Sequence, residues 1–187
     1  MAEHHPESIP IGNPATDDSA LSPLTVEHSA ATMSQLILPS DANPMGNVHG
    51  GTVLKLIDTA AGVVAWRHAR GPIVTARLDE MSFLQPVFIG NLVTVKASVN
   101  AVWRASMEVG VRVEAEDLNS GNVWHVASAY LILVGIDRES RPRPLPPLSA
   151  RTAVEQRRQR EAQERRDLRD ARRAALEQRA QAGSANR

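Results

Sequence analysis

Apolar residues recur along this chain at two periods, one helical and one extended. From Thr52 to His68, Val53, Leu54, Leu56, Ile57, Ala60, Ala61, Val63, Val64 and Ala65 nearly encircle a helix, the pattern of a buried one. Further along the period is two. Val93, Val95, Ala97, Val99 and Ala101 alternate with Thr94, Lys96, Ser98 and Asn100. Met107, Val109, Val111, Val113 and Ala115 alternate with Glu108, Gly110, Arg112 and Glu114. These spacings predict two half-exposed antiparallel strands. Asn119-Ser-Gly-Asn122 supplies turn chemistry before a last strand, Val123 to Val134. That strand is apolar on both faces at its end, which suits a central place in the sheet or a subunit contact. Thr32 to Leu38 reads as a first strand and Ile73 to Leu78 as a second. Met81 to Leu84 reads as a separate short extended segment, ended by Pro86. A strand, a long buried helix and an antiparallel meander predict an α+β fold, one sheet wrapped around one helix.

Both ends differ from this body. Residues 1–28, rich in Pro, Ser, His and acidic groups, predict a disordered arm. The compact domain is expected over 29–148, closed by the proline-rich run Arg141 to Pro147, which can continue neither a helix nor a sheet. The formal net charge is zero, but 149–187 carries eleven Arg against six Asp and Glu, so this tail is basic and the body acidic. Thr152-Ala-Val-Glu155 has the form of a capping box, and Glu161 stands four residues before Arg165. Val154, Leu168 and Leu176 are too sparse for a core stripe, so a solvated, partly formed helix is expected. The tail has no aromatic for base stacking and no large apolar face, which argues against nucleic-acid and membrane partners. There is no cysteine, so disulfides, zinc–thiolate sites and cysteine nucleophiles are excluded. No apolar run reaches the roughly 18 residues of a membrane span, and the N-terminus does not read as a signal peptide. A cytoplasmic location is the expectation.

The candidate chemistry lies in Asp41-Ala-Asn-Pro-Met-Gly-Asn-Val-His-Gly-Gly51 and the helix that follows to Asp58. Asp58 is a carboxylate on an otherwise apolar helix, beside Leu54, Ala61, Gly62 and Ala65. A half-buried carboxylate is costly and needs a reason. Pairing with Lys55 or Arg67 is one reason and catalysis is another. Gly46, Gly50 and Gly51 allow positive φ and close backbone approach, and free N–H groups at the helix start suit a negative oxygen. Gly50 and Gly51 are therefore oxyanion-hole candidates, against the plain reading of a helix-entry turn. No Gly-Lys-Ser/Thr follows, which disfavours a phosphate loop. Asn43 precedes Asp58 by fifteen residues, and Asp58 sits about 12 Å along the helix axis from its start. One chain joins these two groups awkwardly, whereas a two-fold partner brings loop and helix together. His49, His68 and His125 show neither triad nor metal spacing. They read as structural, with His49 lining the cleft and His68 a cation suited to the helix C-terminus.

At these residues the chain resembles the hot-dog-fold acyl-CoA thioesterases, in the branch of short bacterial acyl-CoA hydrolases and brain-type cytosolic acyl-CoA hydrolases. The loop and helix through Asp58 match the family signature. Val74-Thr-Ala-Arg-Leu-Asp-Glu-Met-Ser-Phe-Leu-Gln-Pro86, Gly90-Asn-Leu-Val93 and Val134-Gly-Ile-Asp-Arg-Glu-Ser-Arg-Pro-Arg-Pro-Leu-Pro146 resemble its later motifs. The resemblance spans Ser34 to Pro146 and does not explain the basic tail. It implies a double hot dog on dimerisation, and dimers that assemble further into hexamers. It implies Asn43 and Asp58 as catalytic residues acting across the dimer interface. Asp58 would be general base or nucleophile, Asn43 would orient water or the thioester, and Gly51 with Gly50 would offer backbone N–H groups. Arg77, Lys96 and Arg104 are candidates for the CoA phosphates. No metal and no cofactor is implied, coenzyme A being part of the substrate. Thioester chemistry suits so spare a site, because a thiolate leaves easily. The alternatives are a non-catalytic acyl-CoA-binding or sensing module, and an enoyl-CoA hydratase of the same fold.

Overall fold

The computed structural model describes residues 21–184. In chain order the elements are β1 (Leu24–Thr25), α1 (Val26–Ser29), β2 (Ala31–Leu36), a 3-10 turn (Pro39–Asp41), α2 (Gly50–Ala69), β3 (Ile73–Phe83), β4 (Asn91–Val102), β5 (Ser106–Asp117), β6 (Val123–Gly135), β7 (Leu148–Ser149) and α3 (Ala153–Ser184). Five strands form one antiparallel sheet in the order β2-β4-β5-β6-β3. The predicted α+β arrangement is present, with β6 in the interior of the sheet.

Alternation explains the layering. Val93, Val95, Val99, Val109, Val113, Leu131 and Leu133 turn one sheet face onto α2, and all are buried. From the helix come Val53, Ile57, Ala60, Ala61, Val64 and Ala65, also buried. Alanines at three of these positions leave room for the large strand residues opposite, as dense interior packing requires. Among the described residues no helix is long and apolar enough to cross a membrane.

β3 departs from the sequence reading. It continues through Phe83 instead of stopping at Leu78, because two bulges carry it on. Thr75 pairs with Leu133 and Arg77 with Ile132, which leaves Ala76 as an extra residue. Leu78 pairs with Leu131 and Glu80 with Tyr130, which leaves Asp79 as a second. Each extra residue inverts the inward–outward alternation, so no clean period marks the strand.

The ends are also more ordered than expected. Leu24 to Ser29 belong to β1 and α1, with Val26 and Ser29 buried. β1 pairs in parallel with β7 and ties the two flanks of the body together. The rest of the predicted arm, residues 1–20, lies outside the described residues. The tail is a helix, as its capping box foretold: Thr152 Oγ1 accepts from Glu155 N, and Glu155 Oε2 accepts from Thr152 N. It is not simply solvated, however. α3 lies on the outer face of the sheet, where Ala162 and Glu108 are fully buried and Asn100 is 4% exposed. Arginines do the packing that an apolar stripe would otherwise do. The Arg165 guanidinium stands 3.7 Å from the Tyr130 ring centroid, Arg166 stacks at 4.7 Å over Trp103, and Trp103 Nε1 donates to Gln163. Long cationic stems cover apolar surface while their heads find partners. The outer faces of β4 and β5 are therefore covered at Asn100 and Glu108 rather than half-exposed.

Candidate active site

The loop before α2 is folded around Asn43. Its backbone N–H donates to Asn47 O (2.7 Å), and Gly46 N donates back to Asn43 O (2.9 Å). Gly46 has φ +82°, a conformation that an L side chain strains to reach. The Asn43 Oδ1 accepts from Met45 N (2.8 Å) and Asn47 N (3.3 Å). With that oxygen occupied twice, the Nδ2 donor is the group left to meet a ligand. Asp41 fastens the entry to the loop, accepting from Leu38 N through Oδ2 and from His49 N through its carbonyl.

Asn43 and Gly50 line a cleft of about 400 Å³, with Asn47, Val48, Val53, Phe83 and Leu84 among its walls. His49 is the N-cap of α2; it is exposed and outside the cleft lining, contrary to the expectation. Its carbonyl accepts from Thr52 N and Val53 N. The N–H groups of Gly50 and Gly51 have no backbone acceptor among the described residues, the usual condition of a helix start. Neither glycine has the positive φ expected of it. Their value is free donors and space: a Cβ at Gly51 would meet nothing within 4 Å.

Asp58 stands apart from this cleft. It projects from α2 toward β3, where the Thr75 hydroxyl donates to Oδ1 at 2.9 Å. It is exposed in the single chain, not half-buried, and it pairs with neither candidate cation among the described residues. Arg67 instead donates to Ala30 O. Large apolar side chains are exposed on both elements that hold the Asp58–Thr75 pair, Leu54 and Trp66 on α2 and Val74 and Leu78 on β3, and β3 is an edge strand with no neighbour on its outer side among the described residues. An exposed edge strand rimmed by large apolar side chains is a template for another chain. Thr75 was missed by sequence reasoning. It is seventeen residues from Asp58, and only the return of the chain as β3 brings the two together.

The three cation candidates do not converge. Lys96 is held by Glu114 at 2.6 Å, Arg104 sits exposed in the β4–β5 turn, and Arg77 faces the groove beside α3. None lines the Asn43 cleft. Glu114, gripped by Lys96 and Arg112, keeps its carboxyl below the usual carboxylate range. His68 is fully buried, and its Nε2 donates to Pro146 O at 2.9 Å. Burial lowers its pKa, so it is neutral rather than the expected C-terminal cation. His125 donates from Nε2 to Ala127 O and is structural.

The thioesterase superfamily model matches residues 45–121. The VdlD protein of Helicobacter pylori is 36% identical over 134 residues, 72% of this chain and 76% of that protein. A hexameric acyl-CoA thioesterase superposes with a TM-score of 0.79 at 33% identity, covering 82% of this chain and 98% of that one. An acyl-CoA hydrolase from Staphylococcus aureus, solved with butyryl coenzyme A and coenzyme A, superposes at 0.76 with 30% identity, covering 83% and 94%. That hydrolase was also solved as single-alanine variants of an asparagine, of an aspartate fifteen residues later, and of a threonine seventeen beyond that. Asn43, Asp58 and Thr75 have the same spacing. With a sheet wrapped around one helix, a glycine-flanked loop at its start and relatives covered over most of their length, the chain belongs to the thioesterase superfamily.

Proposed function

We propose that the protein hydrolyses the thioester of acyl-CoA, releasing free CoA and a carboxylic acid. Each site is assembled from two chains: the Asn43 loop and the start of α2 from one, Asp58 and Thr75 from the other. The observation that carries this reading is the separation of the parts. Among the described residues, Asn43 and Gly50 share a cleft whose lining holds no carboxylate, while Asp58 is exposed on α2 and bonded to Thr75 of β3, whose outer edge is unpaired. A two-fold pairing at that edge supplies each with the other and covers the apolar surface. The spacing shared with the variants of the staphylococcal hydrolase supports roles for all three residues.

In this mechanism the acyl carbonyl oxygen takes the Gly50 and Gly51 N–H groups as negative charge develops on it. The Asn43 Nδ2 orients water or the thioester. Asp58, steadied by Thr75, removes a proton from the water that attacks the carbonyl carbon, or attacks that carbon itself to give a mixed anhydride that water then cleaves to the acid and free Asp58. Coenzyme A departs as a thiolate and needs no strong acid. A dimer is the smallest active unit, and a hexamer like that of the structural neighbour is three of them.

The test is thiol release over a panel from acetyl- to palmitoyl-CoA, with Asp58→Ala and Asn43→Ala proteins alongside. Hydrolysis by the unaltered protein and little by either variant is expected. Full turnover by folded Asp58→Ala would remove Asp58 from the mechanism. Saturable binding of acyl-CoA with no thiol released would make the protein a sensor instead.

A further inference from the structure

α3 grips the sheet at one fully buried acid, Glu108, and one half-buried acid, Asp79. Glu108 on β5 accepts from Arg165 at both oxygens (2.6 and 3.1 Å) and from Asn100 Nδ2 (3.1 Å), with Arg169 at 3.8 Å. Arg169 in turn is ion-paired with Asp79 on β3, and the two side chains are only 14% and 12% exposed. Asp79 is the extra residue of the second β3 bulge, four positions beyond Thr75. On a regular strand, residues four apart face the same side. Here Thr75 reaches α2 on the inner face and Asp79 reaches α3 on the outer one. The bulge at Ala76 inverts the alternation between them. Within one chain β3 is an edge strand held through its ladder by β6 alone, and a partner paired along the other side would meet whichever register β3 already has. The Asp79–Arg169 pair is a second attachment, made at the irregular stretch.

We propose that α3 positions the catalytic carboxylate: by holding Asp79, Arg169 keeps β3 in the bulged register that sets the Thr75 hydroxyl on Asp58. This rests on the proposed role of Asp58. Arg169 and Asp79 are positioning residues and touch no substrate. The basic helix that the family resemblance left unexplained thereby acquires a task in the reaction.

The experiment is a double-mutant cycle on kcat and KM for acyl-CoA hydrolysis, using the full chain. Thr75→Val is expected to lower kcat about tenfold. Arg169→Ala and Asp79→Asn should each lower kcat by a similar factor with KM within about twofold, and Arg169→Lys should recover part of the loss. Asp79→Asn leaves the Arg165–Glu108 pair to hold the helix, so it separates misplacement from undocking. In the Thr75→Val background neither change should lower kcat further, because the path runs through the hydroxyl. Arg173→Ala, whose ion pairs lie within the helix, should match the unaltered protein. Multiplicative losses in the double variants, or unchanged kcat in folded Arg169→Ala and Asp79→Asn, would overturn the proposal. A fully active Asp58→Asn would overturn the site assignment and this proposal with it. An inactive Asp58→Asn beside a fully active Arg169→Ala would overturn the positioning role alone.

Discussion

Arg165→Ala probes how the polar outer layer is held. Glu108 is fully buried, and the variant strips it of its bidentate partner. Removing one member of a buried ion pair costs about 3–5 kcal/mol, most of it from the charge left behind. Two features reduce that here. Asn100 still donates and Arg169 remains 3.8 Å away, while the Arg165 side chain is 18% exposed, so its loss admits water. Loss of the contact with the Tyr130 ring adds about 0.5–1 kcal/mol. The net expectation is about 2–3 kcal/mol, or a melting-temperature decrease of about 4–12 °C for a chain of this size. Urea unfolding at fixed protomer concentration gives the first figure. Fluorescence of Trp103, which donates to Gln163 of α3, reports whether the helix has left the sheet. Arg141→Ala is the comparison, since that ion pair is 71% exposed on its arginine side and is screened by solvent. A loss from Arg165→Ala no greater than that from Arg141→Ala would mean that the buried Glu108 charge does not depend on Arg165. Replacing both partners, as Arg165→Met with Glu108→Leu, should recover much of the stability, because no buried charge is then left without its partner, Arg169 keeping Asp79.

The His68 imidazole has its pKa lowered by burial from an ordinary value near 6.5. Below that value the unfolded chain binds a proton that the folded one refuses, so stability is complete above about pH 6.5 and falls as the pH drops. The slope approaches about 1.4 kcal/mol per pH unit. Urea unfolding at pH 7.5 and 5.5 should show this loss, and His68→Gln should remove most of it; an unchanged slope in the variant would assign it elsewhere. At Gly110 an added Cβ would stand 2.6 Å from Asn100 Nδ2, the atom that donates to Glu108. Gly110→Ala should therefore cost about 1–2 kcal/mol by denaturation, and almost nothing in an Asn100→Ala background where the obstruction is gone.

The sheet and the central helix were readable because each repeats its apolar period without interruption: Val93 to Ala101, Met107 to Ala115, Val53 to Ala65. β3 was readable only to Leu78, because the extra residues Ala76 and Asp79 break the alternation. The docking of α3 was hidden for a different reason. Pattern reading looks for apolar stripes, and this helix packs through Arg165, Arg166 and Arg169 against Glu108, Trp103 and Asp79. Asp58 read as half-buried because α2 is apolar nearly all round. One side of that surface is open in the single chain, where Leu54 and Trp66 lie exposed. Thr75 had no local signal at all, since its contact with Asp58 depends on where β3 returns. Arg77, Lys96 and Arg104 have only their charge to recommend them in the sequence, and charge does not say which face a strand residue occupies.

On the proposed reading, Asn43 and Asp58 of one site come from different chains. Subunit mixing tests it most directly: Asn43→Ala and Asp58→Ala proteins, each inactive alone, are dissociated, combined in equal amounts and reassembled, and thiol release is measured. Random pairing makes half of the dimers mixed, and each mixed dimer holds one intact site and one doubly altered site. Recovery of about a quarter of the unaltered activity is expected. Activity no higher than the sum of the two parents, with mixed dimers present, would place both residues of each site in a single chain.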